Sequence, residues 1–188
     1  MGKTLRTVLI VVVVFVIMLF PVVGTYNKLV SLDQQVKTAE ANIDAQLQRR
    51  SDLIPNLVST VQGYASQEKE IFTSIAESRA KLSGAQTVEE RANADAELSN
   101  ALSRLLVVVE RYPELKSNQN FKDLTIALEG TENRIAIGRE DYNKIVSEYN
   151  SKRRKFPTNI VASMFGFDEK PFYKAAEGAK EVPKVEFK

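Results

Sequence analysis

The stretch FKDLTIALEGTENRIAIGREDYNKIVSEY, residues 121–149, says most about the architecture. Phe121, Leu124, Leu128, Thr131, Ile135, Gly138, Tyr142, Ile145 and Tyr149 follow one another by threes and fours without a slip. A seam kept up over so many turns is the signature of a long helix packed lengthwise on another. Ser117-Asn-Gln-Asn120 offers caps where this helix begins. Upstream, Leu98, Leu102, Leu105, Leu106 and Val109 give a second apolar stripe, which Pro113 closes. Thr87-Val-Glu-Glu90 opens it with the Thr-x-x-Glu form of a capping box. Ile54, Leu57, Val58, Val61, Ala65, Ile71, Phe72, Ile75 and Leu82 mark a further helix, with Asp52 and Pro55 as its start and Gly84 as its C-cap. Leu29, Leu32, Val36, Ala39, Ile43 and Leu47 mark the first. Strand-like alternation is absent from residues 25–155.

The spacing predicts an all-α chain: an N-terminal transmembrane helix followed by an up-down four-helix bundle with long antiparallel helices. Val8 to Val23 is an uncharged run, apolar except for Pro21. Extended to residues 7–26 it would rise roughly 30 Å as a helix, the thickness of a hydrocarbon core. Val8, Phe15, Met18, Phe20 and Val23 stand for that expected span. The alternative is a cleaved signal peptide with Lys3 and Arg6 as its basic region. The run is longer than a usual signal core, and no Ala-x-Ala follows, which favours an uncleaved anchor. The predicted organisation is a short basic N-terminus at 1–6, the anchor at 7–26, the bundle at 27–156, an apolar and aromatic segment at 157–176, and a disordered charged tail at 177–188.

Composition excludes whole classes of function. The 188 residues contain no His, Cys or Trp. Without His or Cys there is no Ser-His-Asp triad, no cysteine nucleophile and no thiolate or imidazole metal site. Lys3 and Arg6 account for the whole net charge of +2, so the body from residue 25 onward is neutral. Phosphate neutralisation dominates nucleic-acid affinity, so a neutral body makes a poor nucleic-acid binder. The expectation is a non-enzyme with no catalytic residue, metal site or cofactor.

Two clusters are candidate contact sites. If the first helix leaves the membrane, the fourth returns to it, and its extra length brings Lys152, Arg153, Arg154 and Lys155 close to the bilayer. Met164, Phe165 and Phe167 follow within an apolar segment. Basic residues followed by aromatics suit anionic headgroups, and the plainer reading is a solvated helix end with the tail packed on the bundle. Arg49, Arg50 and Asp52 are read at the membrane-distal tip, either as a partner-binding tip or as ordinary charges at a helix end. Glu129, Glu132, Arg134, Arg139, Glu140 and Asp141 read as the solvated face of the fourth helix.

Tyr26-Asn-x-Leu-Val30, Gln46-Leu-Gln-Arg-Arg-Ser-Asp-Leu-Ile-Pro-Asn-Leu-Val58, Gly63-Tyr-Ala65, Arg111-Tyr-Pro-Glu-Leu-Lys116 and Asn120-Phe121 resemble the LemA family. So do Leu128-Glu-x-Thr-Glu-Asn-Arg-Ile135, Arg139-x-x-Tyr-Asn143 and Tyr149-Asn150, all in order across about residues 26–167. The resemblance implies a bacterial single-pass membrane protein with a four-helix body, and it does not imply an enzyme. It also implies kinship with envelope-stress or membrane-organising proteins, one of them associated with magnetosome membranes. Family descriptions place the body in the cytoplasm, whereas the charges flanking residues 7–26 lean towards an exported body. The expected function is a scaffold that self-associates and organises or shapes the bacterial membrane or envelope. The alternative is an adaptor presenting its bundle to a membrane protease or signalling partner. Expected partners are therefore the lipid bilayer, further copies of the chain and an envelope protein, with no nucleic acid.

Overall fold

The computed structural model describes residues 2–174, and of residues 3, 6 and 11–20 it describes the backbone alone. The tail expected to be disordered, 177–188, lies outside the described residues. Six helices follow one another: α1 (Lys3–Gln62), α2 (Lys69–Gly84), α3 (Val88–Val109), α4 (Pro113–Ser117), α5 (Gln119–Arg154) and α6 (Thr158–Met164). No strand occurs among the described residues.

The chain divides into two units. One comprises Met1–Glu40 with Asp141–Lys170, the other Ala41–Glu140 with the segment from Pro171 onward. The second unit is an antiparallel bundle of four long helical segments, from α1, α2, α3 and α5, with the short α4 between the last two. Arg79 of α2 donates to Ser51 of α1 across the turn at 63–68, so the two helices run in opposite directions. Lys81 of α2 pairs with Glu97 of α3 at 2.6 Å, and α5 opposes α1 through Arg50 and Glu132 at 2.7 Å. Where α5 crosses α1, a Cβ built on Gly138 would stand 3.2 Å from Ile43 Cγ1. That gap leaves no slack for a methyl group, so glycine here sets the helix separation.

Local signals behave as their chemistry predicts. The Thr87 hydroxyl accepts from the Glu90 amide at 3.1 Å, and the Glu90 carboxylate accepts from the amides of Thr87 and Gln86. Those backbone donors hold the Glu90 carboxyl below its ordinary value. Asn118 Oδ1 accepts from the Phe121 amide at 3.1 Å and starts α5. Gly84 closes α2, yet the cap is Ala85 in an extended conformation. Pro113 occupies the first position of α4 instead of merely ending α3.

Two expectations need correction. The break at Asp52 and Pro55 is absent, because α1 runs through both to Gln62. Proline removes the amide that would bond the Ser51 carbonyl four residues back. Arg79 Nε supplies the missing donor, at 3.1 Å from Ser51 O and 3.0 Å from its hydroxyl. The second correction concerns the transmembrane helix, with its residues Val8, Phe15, Met18, Phe20 and Val23. Among the described residues, no helix is long and apolar enough to cross a membrane. The side chains of Phe15, Met18 and Phe20 lie outside the described residues, and Val8 and Val23 are exposed positions of α1.

Candidate functional site

In the first unit, α6 packs on α1. Val161 and Ala162 bury against Leu29, with Val22 and Phe167 closing over them. Tyr26 meets the rings of Phe165 and Phe167 edge-on, with centroids 4.9 and 5.7 Å away. Gly166 then takes φ +70° and the Phe167 amide bonds the Ala162 carbonyl at 2.9 Å, which ends α6 and turns the chain back.

The returning strap is clamped to the end of α5. Tyr149 donates to Asp168 O at 2.9 Å, Asn150 exchanges two bonds with the Lys170 backbone, and Arg153 Nε donates to Phe167 O at 2.6 Å. Arg154 forks onto both oxygens of Glu169 at 2.7 and 2.8 Å. Lys170 bridges to Asp33 of α1 at 2.8 Å. Partial burial works to raise the Asp33 carboxyl, but bonds from Lys170 and Lys37 outweigh it and hold it below its ordinary value. The Arg154 fork does the same for Glu169.

Both carboxyls are depressed in the folded chain, so their contribution is complete above the ordinary carboxylate range and fades as pH falls through the lower folded values. Protease cleavage after α6 should therefore increase below about pH 4. Helical content by circular dichroism should outlast that opening. Equal cleavage at neutral and acid pH, corrected for the protease's own pH profile, would remove these carboxylates from strap docking.

The clamp leaves a side of α6 uncovered. Ile160 and Met164 stand at i and i+4 of α6 and are exposed, Met164 by 68%, and Phe156, in the turn before the helix, is 80% exposed. Lys152 lies four residues before Phe156, in the last turn of α5, and Lys155 is exposed beside it. Of the four predicted basic residues, Arg153 and Arg154 are thus engaged with the strap. Phe165 is exposed and meets Tyr26 edge-on, while Phe167 is half-buried.

The other predicted cluster separates. Arg49 is exposed, and Asp52 accepts from Gln48 at 2.8 Å. Arg50, 4% exposed, lies inside the second unit, twelve residues before the end of α1. Its guanidinium donates to Asp95 Oδ1 at 2.7 Å and to Ser99 at 3.0 Å, and pairs with Glu132 at 2.7 Å. Arg139 pairs with the other oxygen of Asp95 and lies 4.9 Å from the centre of the Tyr173 ring. Asp95 is 1% exposed. Two cations and two anions therefore neutralise one another. Three helices are joined by ion pairs between residues expected at a helix tip and on a solvated face.

The signal was present. Asp95 stands in phase with Val88, Ala92, Leu98, Leu102 and Leu105, and Arg50 with Leu47, Ile54 and Leu57. A charge at a core position demands a buried partner. Glu132 and Arg139, read as solvated, are the partners supplied by α5. Among the described residues no group of three or more metal-ligating side chains occurs.

The arrangement is that of an antiparallel helical bundle with a neutralised interior and an amphipathic helix beside a basic helix end. The chain belongs to the LemA family, whose model matches residues 39–187. It is similar to magnetosome protein MamQ 2 of Paramagnetospirillum magneticum, at 28% identity over 177 residues, covering 79% of this chain and 64% of the relative. It is also similar to protein LemA of Metamycoplasma hominis, at 25% identity over 162 residues, covering 84% of this chain and 73% of that protein. The chain thus spans just under two thirds of the length of the MamQ relative.

Proposed function

We propose that this protein is a non-enzymatic, membrane-associated helical scaffold whose first unit contacts anionic lipid. The exposed apolar side chains Ile160 and Met164 of α6 and Phe156 of the preceding turn, close in sequence to the exposed Lys152 and Lys155, carry this reading. Large apolar side chains are costly to leave in water, at about 1.5–3 kcal/mol for each one fully buried. Lysines near an anionic surface add about 1 kcal/mol each. Val8, Leu9, Ile10 and Val23 of α1 are exposed apolar positions of the same unit and support the same assignment. Similarity to magnetosome proteins fits a protein held at such a surface. The missing His and Cys argue against catalysis, since they remove the commonest general base and the strongest side-chain nucleophile.

Flotation of the full chain with vesicles tests the reading. Binding should be stronger to phosphatidylglycerol-containing vesicles than to phosphatidylcholine alone, and should weaken with salt. Ile160→Asp with Met164→Asp should lower the vesicle-bound to free ratio by about tenfold or more, since both positions lose apolar burial. Binding that ignores lipid charge and both substitutions would remove α6 from the contact.

A further inference from the structure

The heptad seam of α5 is used up within the chain. Phe121, Thr131, Ile135, Tyr142 and Tyr149 are all buried, and Gly138 lies against Ile43. A second row runs along the outside of α5 in the second unit. Ile126, Gly130, Asn133 and Ile137 follow at steps of four, three and four, the d-a-d-a spacing of a coiled-coil seam. All four are exposed, Ile126 by 66% and Ile137 by 52%.

Gly130 is the informative member. In a helix interior it costs about 1 kcal/mol relative to alanine. Nothing lies within 4 Å of the place its Cβ would occupy, so no contact within the described chain requires glycine there. A missing side chain between two exposed isoleucines leaves room for another backbone. The charges beside the row suit the same use. Glu129 and Arg134 flank it at the g and following e positions, and neither forms an ion pair among the described residues. Five residues apart, they do not face each other on one helix, where neighbours are three or four apart. The same i to i′+5 step is the interchain g–e′ relation of a parallel pair.

We propose that the outer face of α5 binds the same face of a second copy, parallel and in register. Ile126 meets Ile126 of the partner, Ile137 meets Ile137, Asn133 pairs with Asn133, and Glu129 of each copy faces Arg134 of the other. Gly130 lets the two helices approach at the centre. An Asn pair at a core position is satisfied only when the two amides meet, which favours the in-register arrangement. Four core positions make a weak contact in dilute solution. Confinement on one membrane raises the effective concentration, and two copies held on one surface share a direction. The parallel sense therefore rests on the membrane reading above.

The absence of cysteine from the chain permits a clean test. Ile126→Cys, Ile137→Cys and, on the outside of α3, Asn93→Cys are oxidised with copper phenanthroline. Each is treated on phosphatidylglycerol-containing vesicles and, separately, at high protein concentration in mild detergent. The Ile126 and Ile137 variants should each form disulfide dimers, at least about tenfold more than the Asn93 variant, in both settings. Added to Ile126→Cys, the reversal Glu129→Arg or Arg134→Glu should lower the dimer yield several-fold, and both reversals together should restore it.

Dimers only when the Ile126 and Ile137 variants are mixed would mean an antiparallel pair and overturn the proposal. Equal yield from the Asn93 variant, or no dimer in either setting, would overturn it too. Flotation of the same samples separates that failure from loss of the membrane reading, since detergent dimers do not depend on vesicle binding.

Discussion

Asp95→Ala should destabilise the protein by about 3–5 kcal/mol, the cost of stranding a buried charge by removing its partner. Two guanidinium groups converge on this one carboxylate, and among the described residues the nearly buried Arg50 has only the half-exposed Glu132 as a second anion. For a chain of this size the loss corresponds to a fall in Tm of about 6–20 °C. Glu132→Gln should cost less than Asp95→Ala, because Arg50 keeps Asp95 as its anion and the Glu132 side chain is half-exposed. Arg50→Met combined with Asp95→Leu should cost less than the two single changes added, since paired removal leaves no orphaned charge in the interior. Arg139 is more exposed and can turn to water. Thermal unfolding followed by circular dichroism reads all of these. An Asp95→Ala chain within about 1 kcal/mol of its parent would show that the interior ion pairs are weakly coupled to folding.

Pro55→Ala should stabilise the chain by up to about 3 kcal/mol, the difference between proline and alanine inside a helix. Pro55 is exposed, so no packing is lost. The regained amide would bond the Ser51 carbonyl that Arg79 now serves. Arg79→Ala alone should cost about 1–3 kcal/mol, because it leaves a buried carbonyl without a donor. In the Pro55→Ala background the same change should cost distinctly less. That coupling is the decisive readout, obtained from a double-mutant cycle in urea. Equal costs of Arg79→Ala in both backgrounds would mean that Arg79 does not substitute for the missing amide.

The continuity of α1 was legible. Ile43, Leu47, Arg50, Ile54, Leu57 and Val61 keep one phase straight through Pro55. A new helix would have restarted that phase at an arbitrary angle. Weighting proline above periodicity predicts a break, yet proline on the outer face of a helix is tolerated where another donor reaches the freed carbonyl. That donor comes from α2, so its presence could not be read from α1.

The basic run at 152–155 was legible in composition, and its engagement with the strap was not. Lys152, Arg153, Arg154 and Lys155 form one basic run in the sequence. The strap engages Arg153 and Arg154, while Lys152 and Lys155 are exposed. Which cations are engaged depends on where residues 167–170 dock: Arg153 meets the Phe167 carbonyl, a group every sequence has, and Arg154 meets the Glu169 carboxylate, fifteen residues further along the chain.

Local sequence was enough for the all-helical class, the capping box at Thr87, the cap at Asn118 and the buried rows of α1, α3 and α5. A 3.6-residue period reports which side of one helix avoids water, whatever lies opposite. Only the packed molecule shows that Asp95 joins Arg50 to Arg139, that Arg79 completes a helix interrupted by proline and that Gly130 faces open space. Those outcomes depend on which neighbouring helix stands within a hydrogen bond's reach, about 3 Å, and no periodicity along one chain segment encodes that distance.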